Sequence, residues 1–156
     1  MIYTEHGICQ IVDITERTID ETTKKYYIIQ PLENNQQLTI SFPVDRANAN
    51  MKKMLKKEEA EEILGLFQSD GAKWIEKPQL RVKKYTEVIN SGDRVEIAKI
   101  ARTLLAKKKL VEEEGRKFYE NDRKLLERIE TTLYKELALA LETTDDEITE
   151  QIHNAI

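Results

Sequence analysis

The sequence predicts an α+β protein, a small N-terminal β module followed by an all-helical bundle. Three observations carry this. Up to about residue 44 the apolar side chains recur with a short period among β-forming residues, and after Pro43 they recur at steps of three and four. Charged residues make up 35% of the 156-residue chain and aromatic ones only 6%, a balance suited to long solvated helices.

Taken in order, Ile8–Ile14, Tyr26–Gln30 and Leu38–Phe42 read as strands. Asn34-Asn35 between the last two is turn chemistry, since Asn tolerates positive φ. The polar stretch Asp20 to Lys25 makes a second turn. Three or four short strands with tight connections predict a small barrel or curled sheet, which hides its edges. The helical period then runs through Met51, Met54, Leu55, Ile63, Leu64 and Phe67 until Ser69-Asp70-Gly71 breaks it. A second helix over 79–90 uses Leu80, Tyr85, Val88 and Ile89. Asn90-Ser91-Gly92-Asp93 is a stop followed by a start, with Asp93 and Glu96 forming a capping box. The third helix presents Val95, Ile97, Ala98, Ala101, Leu104 and Leu105, and Gly115 sits in the next break. A long fourth helix over 120–142 carries Leu125, Leu126, Ile129, Leu133, Leu137 and Leu141 on one stripe. Thr144 and Glu147 cap a final short helix holding Ile148 and Ile152. The expected domains are 1–50 and 51–156.

Several function classes are disfavoured. The longest apolar runs are four or five residues, too short for a membrane span. No secretory signal pattern opens the chain, so the cytoplasm is the expected compartment. A single cysteine, Cys9, excludes an internal disulfide and argues against structural zinc. His6 and His153 lack ligand-spaced neighbours. A Cys9–His6 nucleophile and base would point to opposite sides of one strand. Gly92 and Gly115 are isolated and form no phosphate loop. The acid clusters at Glu58-Glu59, Glu61-Glu62 and Glu112-Glu113-Glu114 read as solvated helix faces. The expectation is no enzyme, no cofactor, no metal and no small-molecule substrate.

Net charge is −4, but it is unevenly spread. Residues 77–109 carry ten basic and three acidic side chains, between an acidic start and an acidic tail. Such a block can face phosphates, because fields beyond about 10 Å are screened at ordinary salt. Trp74, the single tryptophan, lies between Lys73 and Lys77, with Arg81, Lys83 and Lys84 one or two helical turns on. It has two readings: core filler of the bundle, or an indole that stacks on a base while the cations hold phosphates. Lys107-Lys108-Lys109 and Arg116-Lys117 either continue that patch or only solubilise the surface.

In their order and spacing, a set of residues resembles the CarD/CdnL-like bacterial transcription regulators over about 3–141. They are Tyr3, His6-Gly7, Ile11, Ile14, Tyr26-Tyr27-Ile28-Ile29, Leu38-Thr39-Ile40 and Pro43-Val44, then Trp74, Arg81, Ser91-Gly92-Asp93, Asp122-Arg123, Leu125-Leu126 and Glu136-Leu137-Ala138-Leu139-Ala140. The resemblance implies a Tudor- or SH3-like barrel that docks on the β subunit of bacterial RNA polymerase. It also implies a helical part that touches promoter DNA at the upstream edge of the transcription bubble, stabilising the open complex. The stretch that forms the relatives' first barrel strand has no counterpart before Tyr3, so either the barrel is incomplete or the translation start lies upstream. By the same resemblance Arg17, Tyr27, Thr39 and Ser41 would meet polymerase. Trp74 would be the wedge, with Arg81, Lys83, Lys84, Lys107, Lys108, Arg116, Lys117, Arg123 and Arg128 against DNA. The chain would act as a monomer. The rival class is an adaptor whose helical half binds a protein rather than DNA.

Overall fold

β-Branched and aromatic residues build the N-terminal sheet in a computed structural model of the chain, which describes residues 2–4, 7–32, 37–46 and 52–156. The strands are β1 (Ile2–Thr4), β2 (Gly7–Ile19), β3 (Thr22–Pro31), β4 (Ile40–Pro43) and β5 (Lys52–Lys53), antiparallel in the order β4-β3-β2-β1-β5. Asp20 and Glu21 join β2 to β3, both with positive φ (51° and 64°), the conformation a two-residue hairpin turn requires. The turn expected from Asp20 to Lys25 is therefore only these two residues. Thr22–Lys25 extends the ladder instead, and the Thr18 and Thr23 hydroxyls pair across it at 2.8 Å. The Asn34-Asn35 turn and His6 lie outside the described residues.

The register shifts between Ile11 and Asp13, where Val12 is a bulge. The extra residue puts Ile11, which faces Ile29, and Ile14, which faces Tyr27, on the same side of the sheet. Without it a three-residue step would place them on opposite faces. Cys9 and Ile29 are fully buried there, with Ile11, Tyr27 and Ile40 packed around them.

The chain divides into two compact units, residues 1–54 and 55–156. In the second, α1 (Lys57–Gly65) begins later than Met51 and Met54 suggest. Lys52–Lys53 pairs with Ile2 and Tyr3, so that backbone is committed to the sheet. A 3₁₀ turn, Leu66–Gln68, follows. α2 (Pro78–Ser91) starts on a proline whose φ is preset for a first turn and stops at Gly92, in the left-handed region at φ 72°. α3 (Arg94–Glu113) starts at Asp93, whose carboxylate accepts the Glu96 N–H at 3.3 Å.

The expected 120–142 helix is α4 (Glu120–Ile129) and α5 (Lys135–Ala140), joined through a π-helical turn over Glu130–Tyr134. Hydroxyls of Thr131 and Thr132 donate to the Arg128 carbonyl at 3.1 and 2.9 Å, drawing on an acceptor of the helical ladder. α6 (Asp145–Ala155) is capped by Thr144, which accepts the Glu147 N–H. Phe67, Leu104, Ile129, Tyr134, Leu137, Ile148 and Ile152 form the buried centre, with Phe67 edge-on to Tyr134 at 6.3 Å. Leu80 and Val95, expected on packed faces, are 43% and 42% exposed, each in the first turn of its helix. A buried Glu136 binds Arg94 at 2.5 Å and ties α5 to the start of α3.

Candidate nucleic-acid interface

Trp74 sits on the segment 69–77, which leaves the 3₁₀ turn and enters α2. Gly71 takes φ 78°, and a Cβ there would lie 2.6 Å from Thr103 Oγ1, so only glycine allows the segment to lie against α3. The next residue locks on: the Ala72 N–H donates to Thr103 Oγ1 at 2.8 Å and to the Lys99 carbonyl at 3.2 Å. The Tyr85 hydroxyl donates to the Lys73 carbonyl at 2.8 Å. Burial pushes the Tyr85 phenol above its usual range, Arg81 opposes that and Asp122 adds to it.

Arg81 completes the mount. It is 4% exposed and forks onto Asp122, Nε to Oδ1 at 2.9 Å and Nη2 to Oδ2 at 2.5 Å. Its Nη1 donates to the Ile75 carbonyl at 2.9 Å and reaches Glu76's at 3.4 Å. The same guanidinium lies 4.2 Å from the centre of the Trp74 ring and 5.7 Å from that of Tyr119. Arg81, expected among the DNA contacts, is therefore turned inward: its donors are spent on protein, and it backs the indole.

Trp74 fits neither of its two readings alone. It is half-buried, packed at the edge of the helical core, and its ring lines a shallow cleft of about 350 Å³ with Asp70, Arg102, Thr103 and Lys107. Lys107 Nζ lies 5.2 Å from the ring centre. Of the other expected DNA residues, Lys83 and Lys84 project from α2, with Lys84 at 4.0 Å from Glu87. Lys108 lines a different hollow, with Leu105, Glu112, His153 and Ile156. Arg116 is bound to Glu114, Arg123 to both Glu120 and Glu127, and Arg128 to Asn90 at 2.5 Å. Lys117 is exposed, close enough to help hold the Glu120 carboxyl below its usual range, where Arg123 is the main cause. The basic surface is thus divided, with Lys107 at the tryptophan and the arginines partnered locally. Exposed pairs of this kind contribute about 0–1 kcal/mol, so a phosphate can compete for them.

In the sheet, Arg17 is exposed on β2, 5.7 Å over the Tyr26 ring. The pairings Arg17–Lys24, Thr15–Tyr26 and Ser41–Ile28 put Arg17 and Ser41 on one face. Tyr27 is on the opposite, core-side face, and Thr39 is exposed just before β4. Nothing in the sequence pattern marks Thr103 or Tyr119, and Arg102 is only one of ten basic residues in 77–109. Asp122 stands 41 residues from the arginine it holds, a separation at which spacing gives no signal.

Among the described residues no group could hold a metal ion, and no helix is long and apolar enough to cross a membrane. Residues 1–55 match the family model of the CarD-like/TRCF RID domain, and residues 62–153 match that of the CarD C-terminal domain. No curated protein matches the chain.

Proposed function

The chain belongs to the CarD-like family of RNA polymerase-interacting, non-enzymatic transcription factors, and from that membership we propose that it stabilises the promoter open complex. In this reading residues 1–54 dock on the polymerase β subunit through the face of Arg17 and Ser41. Residues 55–156 contact DNA at the upstream edge of the bubble, and the chain acts as a monomer. The observation that carries it is the mounted indole. Trp74 lines a cleft while a buried Arg81, each of whose three nitrogens donates to protein, lies 4.2 Å from its ring centre. An aromatic plate held this way meets a base step at less cost where the duplex has already opened, since the unstacking has been done. A ligand that binds the melted state better than the closed one shifts that equilibrium by its differential affinity. A difference of about 1.4 kcal/mol is tenfold.

Net charge of −4 and locally paired arginines support weak, salt-sensitive binding to DNA alone, with polymerase supplying the remaining affinity. The test is open-complex lifetime with and without the protein, using polymerase from the same organism. Trp74→Ala is expected to remove the lengthening while the β subunit is still captured, and deletion of residues 1–54 is expected to remove both. A lifetime unchanged by Trp74→Ala overturns the DNA reading in favour of the adaptor class.

A further inference from the structure

Val95 is an apolar residue that the stripe of α3 offers and the fold leaves 42% exposed, in the first turn of that helix. It lines an open hollow of about 300 Å³, whose other apolar walls are Leu55, Ile63 and Leu66. Leu55 and Ile63 are core residues, so the hollow opens onto the helical core itself. Glu59 and Glu62, three apart on α1, line it as well, and Asp93 lines it from the start of α3.

These acids are not answered locally. The side chains of Glu59 and Glu62 are exposed and make no hydrogen bond or ion pair among the described residues. Arg94, the cation of the lining, is bound to the buried Glu136 at 2.5 Å. Glu62 also falls in the last turn of α1, which holds no basic residue. The carbonyls at a helix end already carry negative partial charge, so a cation is favoured there and a phosphate is repelled. An exposed apolar centre with a rim of one charge has the anatomy of a protein-binding site. The centre rewards an inserted apolar side chain, and the rim selects the charge of its neighbours. A volume of about 300 Å³ is at the lower limit for a small-molecule pocket and suits a single inserted side chain.

We propose that this hollow docks a protein segment that carries an aliphatic side chain flanked by lysine or arginine. The aliphatic group covers Val95 and Leu66, and the flanking cations meet Glu59 and Glu62. The hollow shares no lining residue with the cleft at Trp74, so the site stands apart from the DNA reading of that residue.

The full chain is titrated into a fluorescently labelled helical peptide of leucine and lysine, and anisotropy is read at low and moderate salt. Binding is expected. Glu59→Gln combined with Glu62→Gln should weaken it about tenfold and flatten its salt dependence, as for two lost rim ion pairs. Val95→Ser should weaken it about fivefold with the salt dependence kept, because apolar area is removed and charge is not. Glu112→Gln combined with Glu113→Gln, exposed acids of α3 outside the hollow, should change neither. A peptide with serine in place of leucine should bind about tenfold more weakly than the parent, and equimolar spermidine should not displace the parent. No binding by the folded wild type, or equal losses in the two acidic pairs, overturns the site. Full affinity of the serine peptide, or displacement by spermidine, makes it a small-cation site and ends the protein reading. Self-association in sedimentation that the Glu59 and Glu62 substitutions abolish assigns the hollow to a second copy of the chain and overturns the proposal too. Circular dichroism checks the fold of each variant, and if the Glu59 and Glu62 pair does not fold, Val95→Ser decides.

Discussion

Asp122→Asn keeps the shape of that side chain but leaves the Arg81 guanidinium buried against a neutral partner. Breaking a buried ion pair from one side costs about 3–5 kcal/mol, because the remaining charge has no solvent to return to. We expect the variant to lose stability on that scale in chemical denaturation. Replacing both partners with apolar residues of similar volume should cost much less. The same substitution should alter the Trp74 emission, since the indole rests on Arg81 at 4.2 Å. Arg81 also shows how far a residue can be read from sequence. Its place among lysines on α2 suggested an exposed cation, whereas its role depends on a carboxylate 41 positions away. Trp74 was legible as the residue of interest, and its half-buried state was not.

At the scale of the element, the π turn inside the α4–α5 helix is the feature that periodicity hides. The apolar stripe from Leu125 to Leu137 reads as one helix because both halves face the same core. Capping signals, by contrast, were plain: Asp93 with Glu96 and Thr144 with Glu147 each form the predicted hydrogen bond. Helix ends carry local chemistry and helix interiors do not. Within the π turn, burial raises the Glu130 carboxyl above its usual range, against the opposing fields of Lys108 and His153. A raised carboxyl pKa means the folded state prefers the protonated form. Its contribution is favourable below the unfolded value, about pH 4.3, and is lost as pH rises through the folded one. Glu130→Gln should therefore melt higher than the parent at neutral pH. The gap should close as the solution is acidified below pH 4, and a gap that widens on acidification would contradict this assignment. The sheet follows the same logic. Three of its strands were visible as β-rich runs, but β1 and β5 are three and two residues long and exist only by pairing with each other and with β2.

At the scale of the whole molecule, the large core cluster lies wholly between Leu55 and Ile152, and the small cluster around Cys9 and Ile29 is separate from it. Residues 55–156 alone should then fold, melting cooperatively within a few degrees of the corresponding transition in the full chain. Circular dichroism and Trp74 fluorescence would check it together, and a fragment without cooperative melting would show that the division is not energetic. That fragment should have no effect on open complexes by itself, since weak DNA affinity would no longer be raised by attachment to polymerase.

The segment that carries Trp74 is fastened at Ala72, Lys73, Ile75 and Glu76 to four different helical residues before any partner arrives. Immobilising a large side chain on binding costs about 1 kcal/mol. Here that loss of freedom falls on folding, so an encounter with opened DNA begins with the indole already aimed, and little of its adhesion is consumed in ordering it.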